Sequence, residues 1–273
     1  MQTAGEIKEL LATHGLAPRK SLGQNFLIDK NLLGKLVEAA GVRPGDLVLE
    51  VGPGTGTLTE TLLDAGARVL AIELDRGLAE LLRTRLGDNE RFDLIEGDCL
   101  ASKRRLNDEA IERLGAEPFS LVANLPYGAA TPLVMDLLLR RPGCRGMWVT
   151  IQREVGDRLA AAPGTKAYGP ISVVAQLFAR VRVLAKLSPA CFWPRPEVTS
   201  AMIEIVRLDD VPEVDADGFA DACTKLFTTR RKQLGAVVGA EVCESAGVEP
   251  TARVESLGPD RMLSLYRAIV AAG

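Results

Sequence analysis

Histidine occurs once in the 273 residues, as His14, in an N-terminal stretch with helical periodicity. A mechanism built on a histidine base, a catalytic triad or a histidine-rich metal cluster is thereby excluded. Cysteine is scarce as well. Cys99, Cys144, Cys191, Cys223 and Cys243 are odd in number, widely spaced and free of any CxxC pair. That usage fits reduced cytoplasmic thiols and leaves no disulfide scaffold or zinc cluster, so no metal is expected. Long apolar runs are missing too: Leu137-Leu138-Leu139 falls far short of the roughly 20 residues that cross a bilayer. The first residues, MQTAGEIKELLATHG, carry acids early and read as neither a secretory signal nor a transit peptide.

What is present describes a globular chain. Apolar residues make up 47% and charged residues 25%, and the net charge is only −3, a composition able to bury a large core. Thr3 and Glu6 have capping-box spacing, and Ile7, Leu10 and Leu11 continue a helical face that Gly15 can end. A second helix is predicted from Asp29 to Gly41, giving a helical extension over residues 1–45. From Asp46 onward, short apolar runs at 47–51, 68–74, 92–96, 119–123 and 147–151 alternate with helix-length segments at 57–65, 76–86, 103–115 and 131–140. This alternation predicts a doubly wound α/β sheet. Runs at 177–187 and 198–207 complete seven strands as an antiparallel edge hairpin. After Leu208 six acids fall within thirteen residues with no base among them, followed by helical patterns at 217–227, 231–242 and 259–271. The expected division is a domain over 1–207 and a small helical domain over 208–273.

Two motifs carry chemistry. Glu50-Val51-Gly52-Pro53-Gly54-Thr55-Gly56 leaves the first strand and enters a helix, where glycines allow a tight turn and close approach of a ligand to the backbone. Glu73, 21 residues beyond Gly52 at the end of the second strand, is placed to accept both hydroxyls of a ribose. Asp98, after the third strand, is placed to reach an adenine amino group. The third glycine comes too early for a pyrophosphate loop and Pro53 removes a donor, so an adenosine ligand without phosphates suits the loop better. The pattern resembles the S-adenosylmethionine site of class I methyltransferases.

The second motif is Asn124-Leu125-Pro126-Tyr127, at the carboxyl end of the fourth strand. An exocyclic adenine amine is a poor nucleophile because its lone pair is delocalised into the ring. The Asn124 amide oxygen and the carbonyl of Leu125 or Pro126 can accept its two N–H protons and favour a tetrahedral nitrogen. Tyr127 offers a face for a base that has left its helix. No histidine is required.

With these motifs in place the chain resembles the bacterial 16S ribosomal RNA adenine dimethyltransferases along nearly its whole length. The resemblance is carried by KSLGQNFL (20–27), VLEVGPGTGTLT (48–59), NLPY (124–127), QREV (152–155), APGTKAYG (162–169) and the Phe192, Pro194, Pro196, Val198, Ser200 segment. It implies a Rossmann-like class I methyltransferase fold; a monomer is the default expectation. Asn25, Leu27, Gly52, Gly54, Glu73, Asp98 and Asn124 would meet S-adenosylmethionine, with S-adenosylhomocysteine as product. Asn124, Pro126 and Tyr127 would be catalytic. Tyr127, Phe192, Arg153, Arg230, Arg231 and Lys232 would meet the RNA. The implied reaction places two methyl groups on N6 of each of two adjacent adenines near the 3′ end of 16S rRNA, in the small subunit or its precursor, during subunit maturation. A large-subunit rRNA methyltransferase and a non-catalytic ribosome-assembly or transcription factor on the same fold are the alternatives. The chain departs from the family pattern at Gly128, where asparagine is common, and at Gln233–Ala236, where an Arg-Asn pair is usual. The −3 net charge lies in residues 207–273, so RNA binding falls to local patches: Arg19-Lys20, Lys103-Arg104-Arg105, Arg153, Arg158 with Lys166, and Arg230-Arg231-Lys232.

Overall fold

The computed structural model of the chain describes residues 2–102 and 104–273. Lys103, expected in a basic patch, lies outside the described residues. Seven strands form one sheet: β1 (Leu47–Val51), β2 (Arg68–Glu73), β3 (Phe92–Glu96), β4 (Phe119–Asn124), β5 (Cys144–Gln152), β6 (Ala179–Leu187) and β7 (Ser200–Arg207). Their order is β3-β2-β1-β4-β5-β7-β6. Strands β1 to β5 pair in parallel, and β7 runs antiparallel to β5. The predicted α/β class, the seven strands and the place of β6 and β7 at the edge all agree with this order. The chain reverses direction across the sheet between β1 and β4, where crossovers leave on opposite sides and open a crevice at the strands' carboxyl ends.

Helices form where the sequence supplies caps. Helix α1 (Ala4–Thr13) has the reciprocal Thr3–Glu6 capping box, and Asp29 caps α2 (Lys30–Ala40), which Gly41 ends in a left-handed conformation. Helices α3 (Thr57–Asp64) and α4 (Arg76–Leu86) follow the first and second strands. The segment predicted as one helix over 103–115 is instead a short hairpin, Leu100–Ser102 with Arg105–Leu106, and then α5 (Asp108–Leu114). Asn107 sets that later start, accepting from the Ala110 N–H at 3.2 Å and donating to the Asp98 carbonyl at 2.9 Å. Helix α6 (Ala130–Arg140) lies close to its expected place. Two helices unassigned by periodicity, α7 (Arg153–Leu159) and α8 (Pro170–Phe178), fill the chain before β6.

Leu33 and Leu36 of α2, Leu58, Leu62 and Leu63 of α3, and Val48, Val69, Ala71, Val122, Trp148 and Met202 of the sheet form one buried cluster. A second cluster places Ile7 and Leu11 of α1 against Phe26, Leu78 and Leu81. The apolar face of the N-terminal helix is therefore bound to α4, and its burial is the main force that fixes the segment following it.

The chain divides into two compact units, and the boundary differs from the one predicted. The first takes residues up to Leu137, Arg141–Gly156 and Arg182–Val206; the second takes Leu138–Arg140, Asp157–Val181 and Arg207–Gly273. One break falls between Val206 and Arg207, and residues 157–181 belong to the second unit. Tyr168 shows why. Its ring is fully buried against Phe227, and its hydroxyl donates to the Leu257 carbonyl at 2.8 Å. Within this unit α9 (Ala216–Thr228) and α12 (Pro259–Ala272) match the predicted helices. The pattern at 231–242 is broken into α10 (Gly235–Val238) and α11 (Ala240–Ser245) by Gly239, whose φ of 96° no helix accommodates. Replacing Tyr168 by Phe should cost about 1–2 kcal/mol of stability, because the Leu257 carbonyl loses a buried donor while the packing stays. Denaturant unfolding checks this, and an unchanged midpoint and slope would refute it.

Candidate active site

A cleft of about 490 Å³ opens in the first unit, at the carboxyl ends of β1, β2 and β4. Its floor is the turn that follows β1. Gly54 has φ 61°, a region costly for any residue with a side chain, and a methyl group there would sit 2.8 Å from Cε1 of Phe26. The turn is anchored to the second strand: the Gly52 N–H donates to the Ile72 carbonyl at 2.9 Å and the Gly54 N–H to Oε2 of Glu73 at 3.0 Å. Arg85, reaching from α4, donates to the Thr55 carbonyl and pairs with Glu60.

Glu73 is 5% exposed and lines the cleft. Its second oxygen accepts the Asp75 N–H at 2.9 Å. Burial pushes its carboxyl above the ordinary value, and these backbone donors oppose the shift. The Leu74 backbone N–H is a third donor to the same carboxylate. Asp98 also lines the cleft, with Oδ1 accepting the Leu100 N–H at 2.9 Å. Cys99 beside it is no nucleophile: burial, with Asp98 adjacent, pushes its thiol up to about 12.

The N-terminal segment forms the opposite wall. Gln24 donates to Oδ2 of Asp75 at 3.0 Å, Arg19 lies 3.3 Å from the same oxygen, and Oδ1 of Asp75 caps α4. Asn25 lines the cleft as expected, and its carbonyl accepts the Asn124 amide N–H at 2.9 Å. The other end of that amide, Oδ1, accepts the hydroxyl of Thr150 at 2.5 Å. Tyr127 stands half-buried beside it, its hydroxyl 3.1 Å from Oγ of Ser200. Asn25, Gly52, Gly54, Glu73, Asp98, Asn124, Pro126 and Tyr127 thus come together in one cleft.

Other predicted site residues do not join them. Leu27 and Phe192 pair across a two-residue ladder, and both side chains belong to the main core cluster. Phe192 is 2% exposed, so its ring fills the core and is not the second face of a base clamp. The ring stacked beyond the cleft wall is Trp193, 6.2 Å from Phe26 and under the Lys8 ammonium at 5.3 Å. Arg153 is exposed at the start of α7 and does not line the cleft. Arg230, Arg231 and Lys232 belong to the second unit. Arg230 is half-buried there, paired with Glu255 and donating to the Thr165 and Lys166 carbonyls. Its guanidinium is committed to holding the APGTKAYG loop; Arg231 and Lys232 are exposed. Phe26, Asp75 and Thr150 escaped sequence reasoning. Phe26 lay inside a quoted motif, whereas nothing in the sequence aims Asp75 or Thr150 at the site. Among the described residues, no group of three or more His, Cys, Asp and Glu is arranged to hold a metal ion.

Beneath the turn, Glu50 is 1% exposed and its Oε2 lacks a hydrogen-bond partner. Burial, with Glu73 adding repulsion, pushes its carboxyl up to about 8 from an ordinary 4.5, against a lowering contribution from Thr59. The folded chain therefore holds a proton that the unfolded chain releases near 4.5, and the resulting stability is complete below that pH and lost as pH rises to about 8. Glu50→Gln, neutral throughout, should flatten this part of the profile and exceed the wild type at pH 9 by more than about 1 kcal/mol. Denaturant unfolding at pH 5 and pH 9 checks it, and parallel profiles would refute it.

Comparison with known proteins agrees with this geometry. Residues 15–270 match the family described as Ribosomal RNA adenine dimethylase. The Ribosomal RNA small subunit methyltransferase A of Rhodospirillum rubrum is 41% identical over 98% of this chain and 93% of its own. That of Mycobacterium tuberculosis is 40% identical over 96% and 86%. Among solved structures, a dimethyladenosine transferase from Plasmodium falciparum superposes with a TM-score of 0.73 at 22% identity, over 88% of this chain and 95% of that one. The 23S rRNA methyltransferase ErmE superposes at 0.66 with 25% identity, over 90% and 100%.

Proposed function

We propose, from the premise that the chain belongs to the ribosomal RNA adenine dimethylase family, that it dimethylates N6 of two adjacent adenines near the 3′ end of 16S rRNA. The general activity is that of an S-adenosylmethionine-dependent methyltransferase acting on small-subunit rRNA, as the relatives' names indicate. The observation that carries the reading is the convergence of Glu73, Asp98 and Asn124 on one cleft whose floor admits no side chain at Gly54.

The residues fit the donor. Glu73 lines the cleft with a carboxylate whose two oxygens are fixed by backbone N–H groups, a pair of acceptors that suits the two hydroxyls of a ribose. The Asp98 carboxylate at the cleft suits an adenine amine. When bound, S-adenosylmethionine supplies an electrophilic methyl group on a positively charged sulfur. The chain's own residues present the nucleophile. The Pro126 carbonyl already accepts the Ala129 N–H at 3.0 Å, so the Leu125 carbonyl is the better partner for the second proton of the target amine, opposite Asn124 Oδ1. Tyr127, steadied by Ser200, supplies the stacking face. Positive charge arising on the nitrogen makes it acidic, and its proton passes to solvent, which is why a chain with one distant histidine suffices.

The RNA is gathered by exposed bases, with Lys20 at the cleft and Arg153, Arg231 and Lys232 elsewhere on the surface. The chain works as a monomer in the cytoplasm on the small subunit or its precursor; no helix among the described residues is long and apolar enough to cross a membrane. Incubating the protein with labelled donor and unmethylated small subunits should label two neighbouring adenines near the 3′ end. Glu73→Ala should abolish both the labelling and calorimetric donor binding. Label confined to large-subunit RNA, or donor affinity unchanged in Glu73→Ala, would overturn the reading.

A further inference from the structure

Thr150 lies on β5 directly across from Asn124 and is 1% exposed. Its side chain sits behind the catalytic motif, and its backbone carbonyl accepts the Leu125 N–H at 3.0 Å. The amide of Asn124 is thus gripped at both ends. The Asn25 carbonyl can only accept, so it fixes the Nδ2 end by a 2.9 Å hydrogen bond. Oδ1 then faces the Thr150 hydroxyl, which must donate to it.

We infer that Thr150 is a positioning residue for methyl transfer: its hydroxyl holds the Asn124 carboxamide so that the remaining acceptor position of Oδ1 meets the target amine. The inference rests on the proposed role of Asn124 as acceptor of that amine's proton. An amide oxygen has two acceptor positions, and Thr150 takes the one turned into the sheet. With Nδ2 held by Asn25 and Oδ1 by Thr150, the carboxamide plane cannot pivot about its last torsion, a rotation that is otherwise soft. Orientation of an acceptor against a weak nucleophile is where a small angular error is expensive, because the contact counts only as the nitrogen becomes tetrahedral. The two anchors come from distant parts of the chain, Asn25 from the N-terminal segment and Thr150 from the core of the sheet. The catalytic amide is therefore set by the cleft wall and by the rigid sheet at once.

The test uses the full-length protein, unmethylated small subunits and labelled donor. Thr150→Val keeps the shape and removes the hydroxyl; Thr150→Ser keeps the hydroxyl. Thr150→Val should lower kcat about ten-fold, the loss expected of one orienting hydrogen bond, with KM for subunits, calorimetric donor affinity and the thermal midpoint near wild type. Thr150→Ser should recover kcat to within about two-fold. In an Asn124→Ala background, measured by single turnover, Thr150→Val should have no further effect. Wild-type kcat in Thr150→Val, failure of serine to rescue, an equal loss in the Asn124→Ala background, or a loss of donor affinity in step with kcat would each overturn the inference. Full activity in Asn124→Ala alone would instead remove the role of Asn124 on which it rests, so the two failures are told apart.

Discussion

The cleft depends on one buried carboxylate. Glu73 ends the second strand with an oxygen on the Gly54 N–H and an oxygen on the Asp75 N–H, so a single side chain ties the glycine turn to the start of α4. Burying that charge is costly, and the raised pKa of Glu73 records the cost. Backbone donors from Gly54, Leu74 and Asp75 offset part of it, and the protonated state of Glu50 below spares Glu73 a second negative charge. Removing Glu73 would therefore loosen the turn as well as remove the acceptor proposed for a ribose.

From Glu73 the arrangement spreads outward through short, local contacts. Asp75 bonds Glu73 through its backbone, caps α4 through one oxygen, and holds Gln24 and Arg19 of the N-terminal segment through the other. That segment delivers the Asn25 carbonyl to Asn124. The Glu73 carboxylate and the Asn124 amide are thus parts of one hydrogen-bonded chain, from Gly54 through Glu73 and Asp75 to residues 19–25, and from there to Asn124. The helix α1 packing against α4 keeps the segment in place. The missing histidine is consistent with this design, since every group in the chain orients or accepts and none must shuttle a proton.

Much of this was legible in the sequence. Strand and helix alternation gave the sheet because its strands are continuous apolar runs and its helices carry explicit caps at Thr3, Asp29 and Asp75. The cleft residues were legible because glycine turns and strand-end acids occupy fixed places in a doubly wound sheet. What failed turned on backbone conformation at single residues, as at Gly239, or on contacts that a local pattern does not carry. The helical pattern at 103–115 yielded to Asn107, which is tied to Asp98 and Cys99. The APGTKAYG loop went to the C-terminal unit because Tyr168 buries its ring there. Phe192 and Arg230 looked like substrate contacts, yet one fills the core and the other braces a loop. Thr150 carried no signal, since one buried threonine in a strand looks like any other until the register sets it against Asn124.

The role of Glu73 is tested most directly by a crystal structure of the chain with S-adenosylhomocysteine. Both ribose hydroxyls should lie on the Glu73 carboxylate and the adenine amine on Asp98, with Glu73 still bonded to the Gly54 and Asp75 N–H groups. A ligand bound elsewhere, or one that leaves Glu73 untouched, would contradict that role.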